Sequence, residues 1–98
     1  MTTIVQVMYP PEDTFDWDYY LSTHMPMVER EMKYLRKWSV LRGIDDGVPK
    51  TYGAIAVLTF DNAGQWAEDF ATVGPKLLAD IPMYTKTQPA IQVSDVVE

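Results

Sequence analysis

Two segments of the chain, Thr2–Tyr9 and Tyr52–Phe60, predict β-strands that are apolar on both faces. The apolar side chains of the first segment divide between its faces as Ile4 and Met8 against Val5 and Val7. Those of the second divide as Ala54, Ala56, Leu58 and Phe60 against Ile55 and Val57. Strands of this kind are typical of central positions in a sheet that is covered on both sides. Any fold of this chain must therefore cover both faces of two strands.

The remaining segments complete the order β-α-β-β-α-β. They predict a helix from Asp16 to Leu35, a strand over Trp38–Ile44, a helix that opens at Asn62 and ends at Gly74-Pro75, a short turn over Lys76–Ala79, and a strand over Ala90–Val97. Asp16 is a predicted N-cap because it places Phe15 at N′ and Tyr20 at N4, the spacing of a hydrophobic staple. Asn62 is a second one, because Gln65 follows it by three residues as in a capping box. Right-handed crossovers then give a ferredoxin-like α+β fold, a four-stranded antiparallel sheet with both helices on one face.

Each predicted helix has an apolar face. The face of the first helix consists of Leu21, Met25, Val28, Met32 and Leu35, at steps of three and four residues. The face of the second consists of Ala63, Trp66, Ala67 and Phe70. Pro26 interrupts the first helix because proline cannot donate a hydrogen bond to the carbonyl of Ser22, so we expect a kink around His24 and Met25.

Two helices can cover only one face of the sheet, and the apolar residues of the other face need a second cover. The 98 residues form a single domain, residues 1–98, with nothing left over to provide it. A domain of this size is marginally stable alone and gains much from a partner. We therefore expect a homodimer that packs sheet face against sheet face.

The composition excludes several classes of protein. Eight Lys and Arg against fourteen Asp and Glu give a net charge of -6, which argues against nucleic acid and anionic membranes as partners. The chain has no Cys, so neither a disulfide scaffold nor a thiolate site is available, and a cytoplasmic location is expected. No signal peptide or apolar run of about 20 residues is seen.

The stretch Phe15–Val28, with an aromatic pair followed by His24-Met25-Pro26, resembles the opening signature of the EthD-type domains. Further matches to that pattern are Tyr52, Leu58–Asp61, Ala79–Ile81, Tyr84 and Pro89–Val93. The resemblance covers nearly the whole chain. It implies the dimeric α+β barrel superfamily, with muconolactone isomerases as relatives, a homodimer with facing sheets, and a pocket between helices and sheet in each subunit. The family takes its name from ethyl tert-butyl ether degradation.

His24, the only histidine, is the first candidate for chemistry. It follows Tyr20 by four residues, so it faces the apolar stripe and the cleft between helix and sheet. There an imidazole can act as a general acid or base near neutral pH, or as an axial haem ligand. The structural alternative is a histidine that bonds the backbone carbonyl freed by Pro26 and so holds the kink.

Three further residues are candidates for the same pocket, and each has a structural alternative. Tyr20 shares the face of His24 and can orient a substrate, or can be an amphipathic core residue. Asp80 lies at a helix C-terminus, the unfavourable end of the dipole for a carboxylate, so it either pairs with His24 and sets its tautomer or forms a turn. Tyr84 is a candidate for the pocket wall. Tyr19 points about 100° away from Tyr20 and is not expected to share its role.

Arg42, Trp38 and Trp66 are the remaining substrate-binding candidates. Arg42 alternates with Val40 and Ile44 and can bind a carboxylate or enolate, or can reach the sheet edge. The two tryptophans can stack on an aromatic ligand or belong to the core. One His and no Cys leave only carboxylates to complete a zinc site, and no nucleotide-binding or hydrolase motif is present, so we expect no metal and no cofactor.

Three functions remain open from the sequence. The first is an isomerase, cyclase or cofactor-free oxygenase that acts on a small apolar or aromatic metabolite, with His24 as the proton-transferring group. The second is a non-catalytic ligand-binding module or an auxiliary subunit of an oxygenase system. The third is a haem-handling protein with His24 as axial ligand. Fold alone does not choose among them.

Overall fold

A computed structural model describes all residues, 1–98, and has the expected order of strands and helices. The strands are β1 (Thr3–Tyr9), β2 (Lys37–Arg42), β3 (Ala54–Phe60) and β4 (Ala90–Asp95). The first helical region is α1 (Trp17–Tyr19), a π-helical turn (Tyr20–His24) and α2 (Met25–Glu31); the second is α3 (Ala63–Ala79), followed by a 3₁₀ turn (Ile81–Met83). The sheet is antiparallel in the order β2-β3-β1-β4, so the two strands with apolar faces are central, as predicted. None of the helices has the length and apolar character needed to cross a bilayer.

The two faces of the sheet differ in how well they are covered. On the helix face Val5 lies opposite Leu58 on β3 and Val93 on β4, and Val5 and Leu58 are buried. The alternate residues point to the other face and form what we call the open face, whose apolar members on the two central strands are only half-buried: Ile4, Met8, Ile55 and Val57. Helices therefore shield one side of the sheet, and the apolar residues of the open face have no cover within the chain.

The kink expected in the first helix takes the form of the π-helical turn. The backbone N–H of Met25 bonds the carbonyl of Tyr20, five residues earlier, and Pro26 follows directly. The extra residue in this turn rotates the helix, so Tyr20 and His24 face the core, while Leu21 is 45% exposed. The prediction that Leu21 begins the buried stripe was therefore wrong.

The first helix also ends earlier than predicted, at Glu31 rather than at Leu35. Met32 has an extended backbone and is buried, and Leu35 packs against the core from outside the helix. A buried carboxylate that the sequence pattern did not reveal stabilises this exit, because Asp69 on α3 accepts a hydrogen bond from the backbone N–H of Tyr34 at 2.8 Å.

The second helix continues through Gly74-Pro75, where the sequence predicted its end. A side chain at Gly74 would lie 2.8 Å from the ring of Phe70, so this glycine allows close packing and does not terminate the helix. Pro75 removes one backbone hydrogen bond from the helix. Burial of Leu77 in the turn that follows offsets this loss of stability. Of the predicted buried face, Trp66 is buried and Phe70 is half-buried against the core, whereas Ala63 and Ala67 are exposed. The other buried residues of this helix are Asp69, Gly74 and Leu77. The N-cap at Asn62 is as predicted, since its side chain accepts from Gln65 N at 2.9 Å.

Candidate functional site

Three segments bring His24, Asp80 and Tyr84 together beside the helix face of the sheet. His24 ends the π-helical turn, Asp80 caps the C-terminus of α3, and Tyr84 follows the 3₁₀ turn. His24 Nδ1 lies 2.9 Å from Asp80 Oδ2, and His24 Nε2 lies 3.3 Å from the Tyr84 hydroxyl. The Tyr84 hydroxyl in turn bonds that of Tyr9, at the end of β1. Neither ring nitrogen of His24 bonds a backbone carbonyl, so the alternative in which His24 holds the kink in that way is wrong.

The chemistry of these partners assigns the protons of the neutral imidazole. A carboxylate can only accept, so Nδ1 must carry a proton to bond Asp80, and Nε2 is then left with its lone pair. Nε2 therefore accepts from the Tyr84 hydroxyl, and Tyr84 accepts from Tyr9. The result is a chain of hydrogen bonds in which every donor points toward Asp80. An imidazole held in this tautomer presents a base on its far side.

Burial and neighbouring groups shift the acid–base properties of this chain. His24 is 5% exposed, and loss of hydration lowers its pKa, although the hydrogen bond to the Asp80 carboxylate opposes this. Burial raises the pKa of Tyr9 to about 12 despite the hydrogen bond to Tyr84, and burial likewise raises the pKa of Tyr84. At neutral pH the histidine is therefore neutral and the two phenols keep their protons.

Tyr19 and Tyr20 both contribute to the site, although they point in different directions from the helix. The Tyr19 hydroxyl donates to Asp80 Oδ1 at 2.7 Å, so both oxygens of Asp80 accept a hydrogen bond. The Tyr20 ring stacks on the imidazole of His24 with 5.6 Å between centroids and 12° between planes. Tyr20 is thus placed beside His24 as predicted. Tyr19 and Tyr9 were not anticipated: the only signal for Tyr9 was its place on the apolar face of β1, and Tyr19 appeared to face away.

Two small cavities adjoin His24 between the helices and the sheet. Their volumes are about 50 and 30 Å³, and His24 and Tyr9 line both. Every residue that lines the larger cavity is hydrophobic except one. Leu78 and Ile91, which are 41% and 39% exposed, lie at its mouth. Because small-molecule sites usually occupy about 300–1,000 Å³, these cavities hold a small apolar group unless the mouth opens.

The site does not fit a haem or a metal ion. The cavities beside His24, of about 50 and 30 Å³, are far smaller than a porphyrin requires. No group of three His, Asp or Glu side chains is arranged to hold a metal ion.

The remaining predicted residues are divided between this site and other places. Trp66 lines the larger cavity and packs against Phe60 and Phe70. Trp38 is half-buried against the core. Arg42 does not enter the cleft of His24, because it lies at the end of β2 with its guanidinium over the ring of Trp17. The strand ends at Arg42 and not at Ile44 as predicted, so Ile44 lies in the following loop and Trp17 is the apolar neighbour of the guanidinium.

The depressed pKa of His24 makes the stability of the fold depend on pH. Below its ordinary pKa of 6.5, His24 takes up fewer protons in the folded chain than in the unfolded one. We therefore expect the free energy of unfolding to fall as the pH is lowered from about 7 to about 5.5, as measured by urea denaturation. The pKa of Glu31 is also lowered, by Lys76, but its effect comes below that carboxyl's ordinary value of 4.5. A His24→Gln variant should lose the dependence in this window, and an unchanged slope would contradict the assignment.

The fold and the cleft define a small ferredoxin-like α+β protein with a buried histidine between helices and sheet. No protein-family model matches the chain, and no curated protein is significantly similar to it. Among solved structures, an EthD-like protein from Ralstonia eutropha is similar, with 32% identity and a TM-score of 0.86 over 99% of this chain and 93% of that one.

Two more distant structures share the fold. An ethyl tert-butyl ether D (EthD) family protein from Bacillus halodurans has 16% identity and a TM-score of 0.73, with 99% of each chain covered. A dimeric protein of unknown function with a ferredoxin-like fold, from Bacteroides fragilis, has 16% identity and a TM-score of 0.54, with 97% of this chain and 96% of that one covered.

This chain belongs to the EthD-like family. The resemblance carried by Phe15–Val28 and the later matches is confirmed, and so is the four-stranded antiparallel α+β fold. Membership of this family indicates a function connected with small molecules.

Proposed function

We propose that the protein moves a proton on a small apolar ligand bound beside His24, as an isomerase, a cyclase or a cofactor-free oxygenase must. The observation that carries the proposal is the orientation of His24, whose Nδ1 is held by Asp80 at 2.9 Å while Nε2 lies 3.3 Å from a phenol, beside a cavity with an almost wholly hydrophobic lining. A neutral imidazole fixed in this tautomer has the pKa range and the lone pair that general base catalysis requires.

The proposed step is removal of an acidic proton from the ligand. The bond between Nε2 and Tyr84 is long, so a ligand C–H or O–H can replace Tyr84 as the partner of the lone pair. The proton then passes to Nε2, and the imidazolium is stabilised by the carboxylate of Asp80. Once the ligand displaces Tyr84 from Nε2, the Tyr84 hydroxyl can donate to Tyr9 instead, because either hydroxyl can be the donor in that pair. Tyr9, which lines both cavities and keeps its proton, is then the group that we assign to the oxygen of the enolate or phenolate that forms.

The size and lining of the cleft define the ligand class. The space beside His24 holds a few heavy atoms, and its walls are almost wholly hydrophobic. A larger ligand has to spread the mouth between Leu78 and Ile91, both of which are partly exposed apolar side chains. We therefore assign a small apolar or aromatic compound with one acidic C–H or O–H bond.

We infer that the protein is a homodimer joined through its open face. The half-buried apolar residues Ile4, Met8, Ile55 and Val57 lack any cover within the chain. A second copy related by twofold symmetry covers them with the same residues of its own sheet. The dimeric protein from Bacteroides fragilis with the same fold supports this arrangement.

Binding without chemistry is the second candidate, and one observation favours it. The lone pair of Nε2 is occupied by Tyr84, so an apolar ligand that carries no acidic proton would leave the hydrogen-bond chain intact. The protein would then carry the ligand and leave it unchanged.

Deuterium exchange separates the two candidates without knowledge of the natural substrate. The protein is incubated in D₂O with a panel of small enolisable ketones, lactones and phenols, and exchange of hydrogen for deuterium is followed by mass spectrometry. Proton transfer predicts that some members exchange faster with the protein than without it, and that His24→Gln removes the acceleration. Thr23→Ala, an exposed neighbour in the same π-helical turn, should leave the acceleration unchanged.

Two results would refute proton transfer. The first is a compound that raises the thermal unfolding temperature without exchanging, with no other member of the panel exchanging either. The second is acceleration that survives in His24→Gln. The first result would favour the binding module.

A further inference from the structure

A third cavity lies just beyond the end of the first strand, on the far side of Phe15 from the His24 cleft. Its volume is about 390 Å³, which is within the range of small-molecule sites. It is formed where β1 ends, β2 ends and β3 begins, and Arg42, Lys50 and Trp17 line it together with Glu12 and Asp13. We call it the Arg42 groove.

Arg42 differs from the other arginines in having no carboxylate partner. Arg36 lies 2.9 Å from Asp61, and Arg30 lies 3.8 Å from Glu31. No carboxylate oxygen lies within 4.0 Å of Arg42, whose guanidinium sits 4.6 Å from the centre of the Trp17 ring. Stacking on an indole holds the guanidinium plane in place and leaves its edge N–H groups free to donate.

The other charged groups of the groove are one available cation and two carboxylates. Lys50 Nζ is only loosely paired, at 4.0 Å from Asp45. Both oxygens of Glu12 are already engaged, one by the hydroxyl of Thr85 and the other by the backbone N–H of Lys86. Asp13 adds one exposed negative charge. Two available cations beside two carboxylates leave the groove with little net charge, so an anion here is held by its direct contacts with Arg42 and Lys50.

The floor of the groove is rigid backbone. The N–H of Gly43 bonds the carbonyl of Gly53 at 2.9 Å, and the N–H of Gly53 bonds the carbonyl of Tyr9 at 2.8 Å. A side chain at Gly53 would lie 3.1 Å from Pro11 Cα, so the strand ends pack closely here. Because this backbone is already ordered, ligand binding does not cost the conformational entropy of ordering it, which favours affinity.

From these features we infer that the Arg42 groove binds a small organic carboxylate. The carboxylate takes two parallel N–H bonds from the Arg42 guanidinium, and Lys50 adds a second positive charge. The groove is separate from the His24 cleft: Phe15 lines the groove and packs against Tyr84, whose centroid is 5.5 Å away, and so stands between the two.

The test uses sodium benzoate as the probe and NMR as the readout. Titration of the ¹⁵N-labelled protein should shift the Arg42 Nε–H and the Trp17 indole N–H, and added salt should weaken the binding. Arg42→Gln should lower the affinity at least about 10-fold, because a charge-assisted bidentate pair is lost. Arg42→Lys keeps the positive charge, so its affinity for benzoate should lie between that of the wild type and that of Arg42→Gln. Arg36→Gln, which changes an exposed arginine elsewhere, is the matched control and should bind as the wild type does.

Three outcomes would overturn the inference. They are absence of shifts at Trp17 and Arg42 under saturating benzoate, equal affinity in Arg42→Gln, and tighter binding of inorganic phosphate than of benzoate. If Arg42→Gln does not fold, Lys50→Gln takes its place, because this side chain is exposed and not needed for folding. Loss of the Lys50 charge should also weaken benzoate binding, and unchanged affinity would overturn the inference. His24→Gln should leave benzoate binding unchanged, so this result stands or falls independently of the proposed proton transfer.

Discussion

Replacement of Asp80 by asparagine should lower the rate of proton transfer by about 10²- to 10⁴-fold. An asparagine has nearly the same shape, but its amide can donate to Nδ1 of His24 and so favours the opposite tautomer. Nε2 would then carry the proton, and the lone pair needed to accept one from the ligand would be gone. The neutral amide of the asparagine also cannot act as the counter-ion of the imidazolium, as the Asp80 carboxylate does. The measurement is deuterium exchange of the most reactive panel member.

Controls distinguish this positioning role of Asp80 from simple loss of structure. Tyr19→Phe removes the other hydrogen bond to Asp80 and leaves the pair with His24, so we expect a much smaller loss of rate. The pH profile of Asp80→Asn should also move, because the imidazolium is no longer stabilised by a carboxylate. An Asp80→Asn variant that exchanges deuterium at the wild-type rate would contradict the mechanism.

Replacement of Val57 by lysine should convert the dimer to a monomer. Val57 lies in the middle of β3 on the open face, so in a single chain a lysine there reaches water at little cost. In a symmetric dimer the same change places two unpaired charges in the interface. Burial of these two charges should cost about 4 kcal/mol or more in total, so the dissociation constant of the dimer should rise by roughly 10³-fold. Analytical ultracentrifugation at micromolar concentration measures it.

A matched charge change tests whether the position of the lysine is what matters. Ala71→Lys adds the same charge on the exposed side of α3, and this variant should sediment like the wild type, at about twice the 11.2 kDa of one chain. If Val57→Lys also remains dimeric, the interface lies elsewhere. A wild-type protein that sediments as a stable monomer would rule out the covering of the open face by a second copy.

The sheet could be predicted from the sequence because its signal is local. Apolar residues on both faces of Thr3–Tyr9 and Ala54–Phe60 identify the central strands, and the N-cap spacing at Asn62 identifies the start of α3. The errors came where packing overrides local preference. The absence of a side chain at Gly74 leaves room for the Phe70 ring. Gly74-Pro75, a pair that normally ends a helix, therefore lies inside α3.

The candidate site could be predicted in part for the same reason. His24, Tyr20, Asp80 and Tyr84 were each singled out, and the structure brings them together. The position of Asp80 depends on α3 continuing through Pro75, which the sequence pattern argued against. The inward turn of Tyr20 and the part played by Tyr19 depend on the π-helical turn, which shifts the helix phase by one residue. Arg42 could not be placed, because Trp17, the residue on which its guanidinium stacks, lies in α1 and is distant in the sequence.

The state of His24 in the free protein is the most direct test of the account, since it requires no ligand. Two-bond ¹H–¹⁵N correlation spectra of the imidazole report which nitrogen carries the proton and at what pH the ring becomes charged. The structure predicts a neutral ring at pH 7 with the proton on Nδ1, and a pKa below 6.5. A proton on Nε2, or a positively charged ring at pH 7, would contradict the account.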